Sequence, residues 1–180
     1  VLDALADPIQ RGVPVLGLEP SCILTLRDET LALGLGEPAE ALAKLAMTFE
    51  EYLANEHQSG VLTLPLKAIT QQRALLHGHC HQKAHDAVRP IELVLGLIPD
   101  LEVELIQSSC CGMAGSFGYE AEHYEASIAM AELALLPKVR ESSAVNTVIV
   151  ADGTSCRHQI QDGASKQALH VAQVLAEAIA

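Results

Sequence analysis

The chain has 180 residues, 49% of them hydrophobic and 19% charged, enough to bury a full core in one domain of ordinary size or slightly more. With no Trp, two Phe and three Tyr it offers no stacking platform for bases, and a net charge of −12 repels phosphate backbones and anionic lipid surfaces. Nucleic acid and membrane-surface binding are therefore set aside. No apolar run reaches the roughly 20 residues that span a bilayer, no signal-peptide pattern is present, and a cytoplasmic protein is expected.

In chain order, the sequence opens at Val1 in what reads as the middle of a helix (Leu2, Leu5, Ala6, Ile9), which suggests a piece of something longer. A strand is predicted at 13–18 (VPVLGL), then helices at 23–33 and 39–56, the second with apolar residues at Leu42, Leu45, Ala46, Phe49 and Leu53. The run 61–66 reads as an edge strand, because Pro65 is unsuited to a central one. Further strands are predicted at 73–77 (RALLH), 101–106 (LEVELI) and 146–151 (NTVIVA), with helices at 85–97, 120–140 and 167–180. This alternation predicts an α/β fold, a Rossmann-like three-layer sandwich with a mainly parallel sheet.

All five cysteines follow the carboxyl ends of the four main predicted strands: Cys22 after the first, Cys80 after the second, Cys110 and Cys111 after the third, and Cys156 after the fourth. Open parallel sheets bind ligands along that edge, so the sulfurs are expected to converge. An odd number of cysteines without secretory features points to metal or thiol chemistry, not to a disulfide framework. A short repeat supports duplication: Ser-Cys with an Asp six positions on occurs at Cys22 and Asp28, and again at Cys156 and Asp162. The expected division is 1–66, the tail of a first repeat with connecting helices, and 67–180, a complete second repeat.

Cys110-Cys111-Gly112 places two sulfurs on adjacent residues, and Gly112 permits the bend that lets both serve one cluster. Gly115 and Gly118 follow at intervals of three, which reads as room for a cluster and not as a dinucleotide fingerprint. Around Cys80 stand His77, His79, His81 and His85, with Lys83 as a counter-charge. Imidazole and thiolate both suit zinc, so His79 and His81 are alternative ligands, or else groups that orient the sulfur ligands by hydrogen bonding.

Cys80 in GHCHQKA, Cys110-Cys111-Gly112 in SSCCGMAGSFGYE and Cys156 in DGTSCRHQI, in that order, resemble the cysteine-rich CCG domain. That domain recurs in a heterodisulfide reductase subunit, in the iron-sulfur subunits of glycolate oxidase and anaerobic glycerol-3-phosphate dehydrogenase, and at the C-terminus of fused FAD-linked 2-hydroxy acid dehydrogenases. The resemblance implies an electron-transfer module with an iron-sulfur cluster of 4Fe-4S type, cubane or non-cubane. Its ligands would be Cys80, Cys110, Cys111 and Cys156, with Cys22 as fifth. FAD and ferredoxin-like domains would lie upstream in the same polypeptide, a quinone is the candidate acceptor, and the whole would sit in the cytoplasm or peripherally at the inner membrane. The family's fullest copies end in Cys-x-x-Cys, where this chain reads Cys156-Arg157-His158-Gln159, so a ligand is missing unless Cys22 or a His replaces it. Two other readings stand beside this one. A zinc-bearing or metal-free interaction module has no redox role, and a thiol enzyme would use Cys111 as nucleophile at a helix N-terminus with His79 or His81 as base.

Overall fold

A computed structural model describes residues 1–180. After a 3-10 turn at Asp3–Leu5 and helix α1 (Ala6–Gln10), strand β1 (Val15–Gly17) leads into α2 (Pro20–Thr25). Pro20 suits the first helical position, where the missing N–H would have no partner anyway. Then come α3 (Glu29–Ala32), α4 (Glu37–Leu45), β2 (Ala46–Thr48) and α5 (Phe49–Gln58). β1 and β2 pair in parallel as a separate two-stranded sheet, from Val15 opposite Ala46 to Gly17 opposite Thr48.

Three expectations are corrected in this half. The helix predicted over 39–56 is two helices around a strand. Thr48 is extended and caps α5 through a reciprocal box with Glu51, and a capping residue cannot sit inside a helix. The helix predicted over 23–33 breaks at Asp28, whose backbone leaves the helical region. The run 61–66 contributes only one antiparallel bridge, Leu66 to Ile179.

The second half holds β3 (Arg73–Leu76), α6 (Cys80–Ala84), α7 (Arg89–Leu95), β4 (Glu102–Leu105), a 3-10 turn at Phe117–Tyr119, α8 (Tyr124–Glu132) and α9 (Leu135–Glu141). It closes with β5 (Thr147–Val150), α10 (Thr154–Ala164), β6 (Ala168–Leu169) and α11 (Val171–Ala178). The strands form one all-parallel sheet in the order β4-β3-β5-β6. Two predicted helices are again interrupted: 120–140 at Ala134, and 167–180 by β6, after which His170 caps α11.

Strand alternation sorts the core into two layers. Ala74, Leu76, Val148 and Val150 pack with Ile91, Val94 and Leu95 of α7 and Val171, Val174 and Leu175 of α11. Leu75 and Ile149 pack on the opposite side with Leu135 and Val139 of α9 and Ile160 of α10. The sheet is thus covered on both faces, the three-layer arrangement expected of an α/β fold. Leu75 and Leu76 are fully buried, and truncating either to Ala costs about 2–5 kcal/mol. β1 does not join this sheet, contrary to the single sheet expected. Because β4 and β5 flank β3 on opposite sides, the crevice past the ends of β3 and β5 is the topological switch point, where open α/β sheets take their ligands.

Candidate metal centre

Three of the cysteine positions are set by helix starts just past strands. Cys80 is the first residue of α6, while Cys22 and Cys156 are each the third residue of their helices, α2 and α10. Cys110 and Cys111 lie in the loop after β4, not at a helix start. Cys80, Cys110, Cys111 and Cys156 line one cavity of about 390 Å³ together with His79, His81, Ser21 and Ser155. Cys22 is exposed and absent from that lining, so four sulfurs gather where five were expected; its neighbour Ser21 reaches the cavity instead.

The sulfurs are closely packed. Cys156 Sγ lies 3.3 Å from Cys111 Sγ, and Cys110 Sγ accepts the Gly112 N–H at 3.3 Å. Gly112 is required here: its φ is +90°, and a Cβ would come within 2.1 Å of the Ser127 carbonyl oxygen. Cys111 and Cys156 are buried, Cys110 is half-buried and Cys80 exposed. Hydrogen bonding divides the thiols. The bonds to Cys111, then to Cys80, hold Cys110 far down, and the contact with Cys111 lowers Cys156. Cys80 and Cys111 go the other way: Cys80 is pushed up by its bond to Cys110, and Cys111 by its bonds to Cys110 and Cys156, with burial adding to both. Packed this tightly, four sulfurs become thiolates together only around a cation.

The nucleophile reading of Cys111 is corrected on the same grounds. Its thiol is buried and its pKa raised, and no helix N-terminus stands behind it, whereas a reactive thiol needs a depressed pKa and access.

The histidines occupy distinct places. His79 caps α6: its Nδ1 accepts the His81 N–H at 3.2 Å, and its own N–H donates to Gln82 Oε1 at 3.0 Å. Its ring lies against Gly153, where a Cβ would meet His79 Cδ2 at 2.5 Å and Cys156 Sγ at 3.1 Å, and burial lowers its pKa. His81 is partly exposed, stacked on His79 with ring centroids 5.3 Å apart, its Nε2 3.6 Å from Glu29. His77, which the sequence pattern alone does not single out as a ligand, has a ring nitrogen within 4.8 Å of the Cys111 and Cys156 sulfurs. Its place at the end of the apolar run RALLH is the signal that would have marked it as buried.

Several side chains hold the sulfur loops in place. Lys83 Nζ donates to the carbonyls of Ser108, at 2.5 Å, and Ser109, at 2.9 Å, just ahead of Cys110. Gln159 is buried; its Nε2 donates to the Cys111 carbonyl at 2.8 Å and reaches Ser127 Oγ at 3.0 Å, so it braces the Cys-Cys-Gly turn and does not line the cavity. Glu19 Oε2 accepts the Thr154 N–H and hydroxyl, each at 2.9 Å. Burial would raise that carboxyl, but these bonds and one from Ser21 outweigh it and hold it below its ordinary value.

A second buried cluster lies nearby. Asp152 Oδ2 accepts from Gln82 Nε2 at 2.9 Å and Oδ1 from the Val171 N–H at 3.1 Å. His170 Nε2 stands 3.5 Å from Asp152 Oδ1 and 3.9 Å from Glu50 Oε1. Burial, then the charge of Asp152, raises Glu50 to about 8, so its carboxyl is protonated at neutral pH.

The donor set around the cavity fits a soft metal centre. Thiolates select iron-sulfur clusters or zinc over hard cations. Behind the lining, which does not include it, His77 is buried with an unpartnered Nε2 and a ring nitrogen within 4.8 Å of the Cys111 and Cys156 sulfurs. An anaerobic glycerol-3-phosphate dehydrogenase subunit from Escherichia coli is 31% identical to this chain over 171 residues, 94% of this chain and 41% of the relative. D-2-hydroxyglutarate dehydrogenases from Escherichia coli and Pseudomonas putida are each 29% identical, over 185 and 178 residues, covering 98% and 97% of this chain but 17% and 16% of the relatives. The chain therefore spans less than half the length of these curated relatives. No family model and no solved structure matches.

Proposed function

From its membership of the cysteine-rich CCG regions found in these dehydrogenases, we propose that the chain is an iron-sulfur electron-transfer domain of an oxidoreductase. One observation carries the reading: four sulfurs from three strand ends line a single cavity at the switch point of a parallel sheet. Cys80, Cys110, Cys111 and Cys156 would hold a 4Fe-4S-type cluster, with His79 orienting it from beside Cys156, His81 at the exposed side and Gly112 allowing the close turn. When bound, such a cluster takes up and releases single electrons. The aliphatic core beneath the cavity keeps water away from its inner sulfurs, and Lys83 places a cation beside the loop that carries Cys110.

The parent enzyme in this proposal oxidises a 2-hydroxy acid of the D-lactate, glycolate or 2-hydroxyglutarate type on an FAD domain. Ferredoxin-like clusters of the same polypeptide would connect that flavin to this domain, and a quinone at the inner membrane would be the acceptor. No helix here is long and apolar enough to cross a membrane.

The 1–66 and 67–180 division is part of the same proposal. In both segments a strand leads to a helix with Ser-Cys at its second and third positions, followed by a strand paired in parallel with the first and a helix opened by a capping box, Thr48 with Glu51 and His170 with Gln173. On this correspondence Cys22 matches Cys156 and serves a site of its own repeat.

The test is anaerobic loading with iron and sulfide, followed by metal analysis, absorption and EPR spectroscopy. Uptake of several irons with matching sulfide is expected. Trace iron with stoichiometric zinc would replace this reading with the zinc-bearing interaction module, for which Cys80 and His81 are suitable donors, the Nδ1 of His79 being taken by the His81 N–H.

A further inference from the structure

We propose that His77 binds the metal centre directly through Nε2, as a nitrogen ligand beside the four cysteines. The inference rests on the reading of the cavity as an iron-sulfur site and goes beyond it by naming a ligand.

The buried histidines His77, His79 and His170 differ in which ring nitrogen the backbone has already claimed. Nδ1 of His79 accepts the His81 N–H at 3.2 Å, and Nδ1 of His170 accepts the Ala172 N–H at 3.0 Å. A neutral imidazole that accepts at one nitrogen carries its proton on the other. Nε2 is therefore an N–H donor in both rings. That of His170 donates to the Leu18 carbonyl at 2.8 Å. A nitrogen that bears a proton has no lone pair for a metal, so capping removes both from the ligand set, although His79 lines the cavity and His170 sits among carboxylates.

His77 caps nothing. Its Nδ1 lies 3.0 Å from the Ser108 hydroxyl, which can accept the ring proton, and Ser108 is itself anchored through its carbonyl by Lys83. Nε2 then keeps its lone pair. It is buried without a hydrogen-bond partner, in a residue 1% exposed that stands behind the cavity lining with a ring nitrogen within 4.8 Å of the sulfurs of Cys111 and Cys156. An acceptor left alone there costs about 1–3 kcal/mol, which a metal bond removes. The outer N–H held by an anchored oxygen is the arrangement that fixes tautomer and ring orientation in metal-binding histidines. The backbone is rigid as well: the His77 N–H donates to the Val150 carbonyl at 2.8 Å, extending the sheet to the ligand itself.

The experiment is pulsed EPR on the anaerobically loaded protein carrying ¹⁵N-labelled histidine, poised in its paramagnetic state. A strongly coupled histidine nitrogen is expected in the wild type. It should persist in His79→Gln and vanish in His77→Cys, which keeps its iron with a thiolate in place of imidazole and shows a lower midpoint potential, since replacing thiolate by imidazole raises cluster potentials. A loaded wild type without strong nitrogen coupling, or coupling that survives in His77→Cys, overturns the assignment of His77 and leaves the cluster reading intact. Failure of the wild type to take up iron overturns both, and the wild-type spectrum decides even if the variant does not fold.

Discussion

Asp152 and Cys156, four residues apart where β5 passes into α10, belong to two buried clusters of similar outline. Glu50, Asp152 and His170 bring three ligand-type atoms within 4.8 Å of one another, and so do His77, Cys111 and Cys156. In the first cluster both Asp152 oxygens accept hydrogen bonds, both His170 nitrogens are engaged, and burial keeps the proton on Glu50, whose Oε1 is itself buried without a hydrogen-bond partner. In the second, one sulfur, Cys156, is held low while its neighbour Cys111 is pushed up, and His77 Nε2 has no hydrogen-bond partner. The difference lies in donor chemistry: the first cluster offers carboxylates tied up with a protonated acid, the second offers sulfurs and an imidazole nitrogen, the set that a soft metal selects.

The predictions set one cluster against the other. The largest effect is expected for Cys111→Ser, which should lower bound iron more than tenfold, measured by metal analysis after anaerobic loading, while leaving the acid cluster untouched. Gly112→Ala forces a Cβ onto the Ser127 carbonyl at positive φ and should destabilise the chain by about 4 kcal/mol in urea titration. The slope of stability with pH should survive in that variant.

Glu50→Gln acts on the other side. The folded carboxyl keeps its proton up to about 8, against an ordinary value of 4.5, so the folded state binds more protons across that window and stability falls as pH rises through it. The variant should abolish this fall, on the order of 3–4 kcal/mol between pH 5 and 8 by denaturant titration, with iron content unchanged. Lys83→Met releases two carbonyls ahead of Cys110 and should weaken metal retention about 10- to 100-fold against a chelator. The smallest effect belongs to Tyr119→Phe, which removes an exposed hydrogen bond of 2.6 Å to His158 and should change stability by less than about 1 kcal/mol.

β5 was legible as a continuous β-branched run, β3 as a short apolar run, and β4 from the alternation of LEVELI, each bounded by turn residues. β2 and β6, three and two residues long, were not, since so short a strand leaves the helical spacing on either side undisturbed. Thr48-x-x-Glu51 was the local clue to the first of them. The convergence of four cysteines could be read from strand order alone. That Ser21 reaches the cavity and Cys22 does not could not, because which face of so short a helix meets the cavity is fixed only on folding. The sequence favours His79 and His81 over His77 because a tautomer depends on which backbone N–H faces the ring, and this is fixed only on folding.

Asp152 grips the first turns of two helices, through Gln82 in α6 and through the Val171 N–H of α11. Cys80 opens the first of these helices, so the outermost sulfur of the cavity is braced from the sheet interior by a carboxylate that never touches it. A carrier that gains and loses charge wastes least driving force when its surroundings barely move. If the chain carries electrons as proposed, this bracing favours a small reorganisation energy, and the loss of Asp152 should slow electron passage without removing a single ligand.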